Sequence, residues 1–79
     1  MKYRVFVTLK PGVLDPQGEA IRHALGSLGF EGINSVRQGK MIELDLAEED
    51  AAQAREIAIA MCEKLLANTV IETYRVEPA

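Results

Sequence analysis

The chain has one cysteine and one histidine among its 79 residues. No intrachain disulfide can form, and one His with one Cys falls short of the four nitrogen or sulfur ligands of a structural zinc site. The lone Cys62 fits a reducing compartment. Basic residues are in the minority: 9 Lys and Arg against 12 Asp and Glu, a formal net charge of −3. Nucleic-acid binding is driven by Lys and Arg on phosphates, so that class is disfavoured. No apolar run approaches the ~20 residues that span a bilayer. No positively charged segment followed by an apolar stretch marks the N-terminus as a secretory signal. A cytoplasmic protein with neither a nucleic-acid nor a membrane partner is expected. There is no Walker loop, no dinucleotide fingerprint and no metalloprotease motif, so no catalytic, cofactor-binding or metal-binding residue is expected in this chain.

Residues 1–79 are expected to form a single domain. A chain this short buries roughly 60–65% of its surface on folding. Its core rarely supplies more than about 3–5 kcal/mol of net stability unaided. With disulfides and zinc excluded, association remains, and a homo-oligomer, dimer or tetramer, is expected.

Patterning gives the elements. Residues 3–10 alternate, with Tyr3, Val5, Val7 and Leu9 on one face and Arg4, Phe6, Thr8 and Lys10 on the other, the period of a half-buried strand. Asp15 then reads as an N-cap with Pro16 at the first helical position. The helix that follows is expected to bury Ala20, Ile21, Ala24, Leu25 and Leu28. Gly29 stops it in a left-handed conformation, with Phe30 folding back on Leu25. Residues 32–38 read as a second strand carrying Ile33 and Val36. A tight turn at Gly39, with positive φ, would join it in a hairpin to residues 41–46, where Ile42, Leu44 and Leu46 point inward. Glu48, Glu49 and Asp50 suit the N-terminus of a second helix. That helix runs to about Leu66 and is expected to bury Ala51, Ala54, Ile57, Ala58, Met61, Cys62, Leu65 and Leu66. Asn68 reads as a left-handed stop, and residues 70–76 as a last strand that pairs within its own sheet or with another subunit. The expected fold is therefore α+β in the order β-α-β-β-α-β. It is an antiparallel sheet with two helices packed on one face, open to strand exchange or sheet extension between subunits.

Few side chains suggest chemistry. His23 lies between Arg22 and Ala24 with no Ser, Cys or Asp at a suggestive spacing and reads as a surface residue. Cys62 falls on the apolar stripe of the second helix, where a free cysteine behaves as a small hydrophobe. Glu43 and Asp45 share a solvated strand face. Other residues exceed what local backbone chemistry needs. Val13 and Leu14 are apolar in a loop that Pro, Gly and Asp already explain. Arg37 and Lys40 flank a turn that Gly39 alone would make, and Glu72 stands beyond a stop that Asn68 alone would supply. Val13, Leu14, Arg37, Lys40, Asn68 and Glu72 are the candidate partner contacts.

Relatives of the same element order are narrowed by residue type. A cluster-binding ferredoxin needs four cysteines, and an RNA-recognition domain needs stacking aromatics that residues 41–46 lack. An acylphosphatase-type enzyme wants an arginine in residues 11–15, where there is none. An ACT-like small-molecule-sensing regulatory module stays open as an alternative.

Four runs carry a family resemblance. They are Leu9-Lys10-Pro11-Gly12-Val13-Leu14-Asp15-Pro16-Gln17-Gly18, Ser27-Leu28-Gly29-Phe30, Val36-Arg37-Gln38-Gly39-Lys40, and residues 61–72 from Met61 to Glu72. In this order and together, they resemble the PurS subunits of phosphoribosylformylglycinamidine synthase. The resemblance implies a non-catalytic small subunit of a three-chain, glutamine-dependent complex of de novo purine biosynthesis. It implies two further partners, a large synthetase subunit and a glutaminase subunit with its own triad. The small subunit would hold these together and support ammonia transfer. ATP, Mg and glutamine would be used by the complex, with none bound by this chain. Many relatives have an acid where this chain has Thr73, so a contact made by that acid is not carried over.

Overall fold

An alternating strand whose inner residues are all apolar belongs in the middle of a sheet, and β1 (Lys2–Leu9) takes that place. The computed structural model describes all of residues 1–79. β2 (Gly39–Asp45) and β3 (Glu72–Pro78) flank β1 on either side, both antiparallel to it, in the order β2-β1-β3. The register sets Val5 opposite Ile42 on one side and Val76 on the other, so one face is apolar across all three strands. On the opposite face Phe6 stands between Met41 and Arg75, and the Arg75 guanidinium lies 4.5 Å from the Phe6 ring centroid.

The apolar face is covered by helix α2 (Ala51–Met61), which runs on into a π-helical turn, Cys62–Leu66. Small residues at four-residue spacing, Ala54, Ala58 and Cys62, face the sheet and let the helix approach closely. With Tyr3, Val5, Val7, Ala67 and Val76 they make the core. Asp50 caps α2, its Oδ1 accepting from the Gln53 N–H at 3.1 Å. Tyr3 Oη donates to the Ala51 carbonyl at 3.2 Å, and Arg55 donates to the Val76 carbonyl at 3.2 Å, fixing α2 toward the β3 side.

The α+β class, the antiparallel sheet and the two helices are as expected, with residues 32–38 in their place in the order. Several local expectations are corrected. Helix α1 (Pro16–Ser27) does not pack on its own sheet. None of Ala20, Ile21, Ala24, Leu25 and Leu28 is buried; Gly18 is the one buried residue of the helix. The chain is long and thin, 49 × 24 × 15 Å, because α1 projects from it. The helix does end as expected. Gly29 has φ +95°, its N–H reaches the Gly26 carbonyl, and the Phe30 N–H reaches the Leu25 carbonyl at 3.1 Å. The Phe30 side chain nevertheless stays exposed.

Residues 32–38 make no strand within the chain, and the hairpin with β2 does not form. The segment is held at the base of α1 instead, with the Gln38 N–H on Asp15 and the Arg37 guanidinium on the loop carbonyls, and the outer edge of β2 stays unpaired within the chain. Gly39 opens β2 without positive φ. It is required because a Cβ there would sit 2.5 Å from the Val7 carbonyl oxygen. Asn68 is not left-handed either. It holds the turn into β3 by accepting the Val70 N–H on Oδ1 at 3.2 Å. The last strand closes its own sheet, pairing with β1 from Leu9 opposite Glu72 to Tyr3 opposite Pro78. On α2 and the turn that follows it, Ala51, Ile57, Met61 and Leu65 are exposed and Leu66 is half-buried, since Ala54, Ala58 and Cys62 take the side turned to the sheet, with Ile59 and Leu66 packed at its margin.

Candidate functional site

The three runs that hold the candidate contacts meet at one end of the sheet. The Lys10 N–H donates to the Ile71 carbonyl at 2.8 Å, which joins the loop after β1 to the turn before β3. Asp15 joins that loop to the segment entering β2. Its Oδ1 accepts the Gly18 N–H and its Oδ2 accepts the Gln38 N–H, each at 2.8 Å. Arg37 closes the loop from the other side. One guanidinium nitrogen donates to the Val13 carbonyl at 3.1 Å; another donates to Leu9 at 3.0 Å and Lys10 at 3.1 Å.

Asp15 is buried, and its carboxyl is held below the usual aspartate value. The largest cause is the Gln38 N–H, then the Gly18 N–H, with the Arg37 charge adding to both against the cost of burial. Gly18 has no room for a side chain, since a Cβ would lie 2.3 Å from the Val36 carbonyl oxygen and 2.8 Å from Asp15 Oδ2. The sequence marked Asp15 only as a cap. Its second oxygen ties positions 15 and 38 together, and no local pattern announces that.

Around this knot lies an open cleft walled by Val7, Leu9, Asp15, Gln38, Lys40 and Glu72. A second one shares Asp15 and is lined by Val13, Leu14 and Arg37. Val13 is half-buried and Leu14 is 79% exposed. Glu72 accepts the Asn68 N–H at 2.6 Å, so these two candidates brace each other. All six candidate contacts therefore cluster, but in different ways. Leu14 and Lys40 are exposed, whereas Arg37 spends its guanidinium on the loop's own carbonyls.

What this end can do chemically is limited. Both helix N-termini carry an aspartate, Asp15 on α1 and Asp50 on α2, and each carboxylate accepts one first-turn N–H, from Gly18 and Gln53, and places negative charge there. No group of three His, Cys, Asp or Glu side chains comes together. His23 is exposed on α1, and Cys62 is fully buried with its thiol pushed up, first by desolvation and then by the Glu63 charge. A thiolate nucleophile needs the opposite environment. No helix is long and apolar enough to cross a membrane.

Comparison with known proteins gives the family. The family model described as PurS, phosphoribosylformylglycinamidine (FGAM) synthase, matches residues 2–79. The chain is similar to the phosphoribosylformylglycinamidine synthase subunit PurS of Synechocystis, 52% identical over 90% of this chain and 71% of that one. It is 49% identical to the same subunit of Bacillus subtilis, over 96% of this chain and 89% of that one. Its fold matches a chain in the structure of PurLQS from Thermotoga maritima with a TM-score of 0.90 at 35% identity, covering 99% and 95% of the two chains. The chain belongs to the PurS family of phosphoribosylformylglycinamidine synthase.

Proposed function

We propose that this chain is the non-catalytic small subunit of a glutamine-dependent phosphoribosylformylglycinamidine synthase complex in purine biosynthesis. It holds a large synthetase subunit and a glutaminase subunit together and supports ammonia transfer between them. The complex is a carbon–nitrogen ligase that works in the cytoplasm. ATP, Mg and glutamine are bound by the other subunits, and the small subunit is a homo-oligomer.

The observation that carries this reading is a family match over residues 2–79, with PurS subunits similar over nearly the whole chain. The clustered loop, segment and turn at one end of the sheet supply the surface, with Val13, Leu14, Lys40, Asn68 and Glu72 facing the partner and Arg37 shaping the loop from behind. Charged groups at such a rim set association rate and salt dependence, while desolvated apolar ones set lifetime.

The test is reconstitution from purified chains. Omitting this chain should abolish glutamine-dependent turnover, and adding it should restore it. The chain alone should hydrolyse neither ATP nor glutamine. Full glutamine-dependent activity without it would overturn the proposal.

A further inference from the structure

We infer that the open cleft at the end of the sheet is a binding site for a free α-amino acid, with Lys40 on its carboxylate and Glu72 on its ammonium. This goes beyond the adaptor role and does not depend on it.

The sheet register builds the site. Lys40 of β2 lies opposite Val7, and Glu72 of β3 lies opposite Leu9. Directly opposed residues of antiparallel strands share a face. The cation and the carboxylate therefore both stand on the inner face, with β1 between them. Strands two places apart are separated by about 10 Å. A small zwitterion, with a charge-assisted hydrogen bond of about 2.8 Å at each end, bridges such a gap without moving either strand.

The two side chains do not neutralise each other. The ion pairs of the chain are Arg22–Glu19 and Arg75–Glu77, and none of these four residues lines the cleft. Lys40 is exposed and unpaired. Glu72 is half-buried and held in place, one oxygen accepting the Asn68 N–H, which leaves the other for an ammonium. Asp15 does not compete for that ammonium, since its two oxygens hold the Gly18 and Gln38 N–H groups and Arg37 offsets its charge.

The rest of the cleft suits the same ligand. Its floor is apolar, Val7 and Leu9, a seat for a Cβ. Gln17 and Gln38 stand at the rim. The Gln38 backbone N–H is taken by Asp15, and its side-chain amide is left for a polar ligand side chain. The space, about 460 Å³, lies within the range of small-molecule sites. A dianion would face Glu72 and Asp15, and a lone cation would meet Lys40, so the walls select a ligand of zero net charge that carries both signs. Lys40 and Glu72 also belong to the partner surface proposed above, so the site is open in the free chain.

The experiment uses the full chain, isotope-labelled for NMR, with L-alanine as the probe. The backbone N–H signals of Gln38, Lys40 and Glu72 should shift saturably, with a Kd on the order of 1 mM. N-acetyl-L-alanine lacks the ammonium and L-alaninamide lacks the carboxylate; each should bind at least about tenfold more weakly. Lys40→Met removes the cation. Glu72→Gln removes the negative charge but keeps an acceptor for the Asn68 N–H. Each variant should weaken L-alanine at least about tenfold, with signals far from the cleft unchanged. If a variant unfolds, the ligand series on the native chain still decides. Equal binding of L-alanine and N-acetyl-L-alanine would reduce the site to an anion contact and overturn the inference. Shifts that do not saturate, or that persist in both folded variants, would overturn it as well. Glutamine-dependent turnover without this chain would overturn the adaptor role and leave this site standing.

Discussion

The Gln38 N–H donates to Asp15 Oδ2 at 2.8 Å across 23 positions of sequence, and this bond makes an N-cap into a fastening. The other oxygen of the same carboxylate starts α1. One buried side chain thus fixes where the helix begins, where β2 begins, and how the loop that carries Val13 and Leu14 is presented.

A pH dependence follows. The Asp15 carboxyl is depressed below its ordinary value of 3.8 by two backbone N–H groups and Arg37. The unfolded chain therefore binds the proton more readily. Stability from this group is fully present above the unfolded value and is lost as pH falls through the lower folded value. Thermal unfolding followed from pH 5 down to pH 2 should show the wild type losing stability below about pH 4. Asp15→Asn should start lower in Tm and lose less over that range. Equal slopes for the two proteins would contradict the assignment.

Two glycines of α1 should respond oppositely to alanine. At Gly18 a Cβ would meet the Val36 carbonyl oxygen and Asp15, so Gly18→Ala forces the fastening open and should lower Tm. At Gly26 nothing lies within 4 Å, and Gly26→Ala should gain about 0.5–1 kcal/mol from helix propensity. Denaturant titration of both variants checks the contrast.

Arg37 and Lys40, paired by sequence, should separate in experiment. Arg37 reaches three carbonyls with a planar fork, so Arg37→Lys should weaken the loop although it keeps the charge. Lys40 is exposed on the cleft wall, so Lys40→Glu should leave stability unchanged and slow assembly with the large subunit in a salt-sensitive way. Stability curves and association rates at low and high salt distinguish the two roles.

Cys62 and His23 should prove dispensable for chemistry. A thiol reagent should modify native Cys62 only as fast as the protein opens, because the group is fully buried and its thiol is held protonated. His23→Ala and Cys62→Ala should leave the reconstituted activity within a few-fold. A hundredfold loss with folding intact, about 2.7 kcal/mol of transition-state stabilisation, would contradict the non-catalytic role.

Local signals in the sequence were reliable where the structure is local. Alternation located β1 and the inward set of β2. Cap chemistry found Asp15, the acidic run of residues 48–50 marked the start of α2, and Gly29 ended α1 as its position implied. What periodicity cannot tell is which chain an apolar stripe packs against. Ile21, Leu25 and Leu28 read as core yet are left uncovered, and Ile57, Met61 and Leu65 do the same on α2. Residues 32–38 have strand composition, but their end is tied to Asp15 rather than to the free edge of β2, through a bond that no local pattern announces. The candidate contacts were legible as surplus residues in three runs. Their meeting at one end of the sheet was not, since the Lys10–Ile71 and Asp15–Gln38 bonds join positions far apart.

The most direct measurement is a titration of the purified chain into fixed amounts of the large synthetase and glutaminase subunits, with the glutamine-dependent reaction as readout. The expected result is a saturable rise from no turnover to full turnover. Lys40→Glu combined with Leu14→Asp should shift the midpoint to higher concentration, more so in low salt than in high salt, and leave the plateau unchanged. Turnover that is complete before the chain is added, or a plateau that falls while the midpoint stays fixed, would contradict a subunit that acts by contact alone.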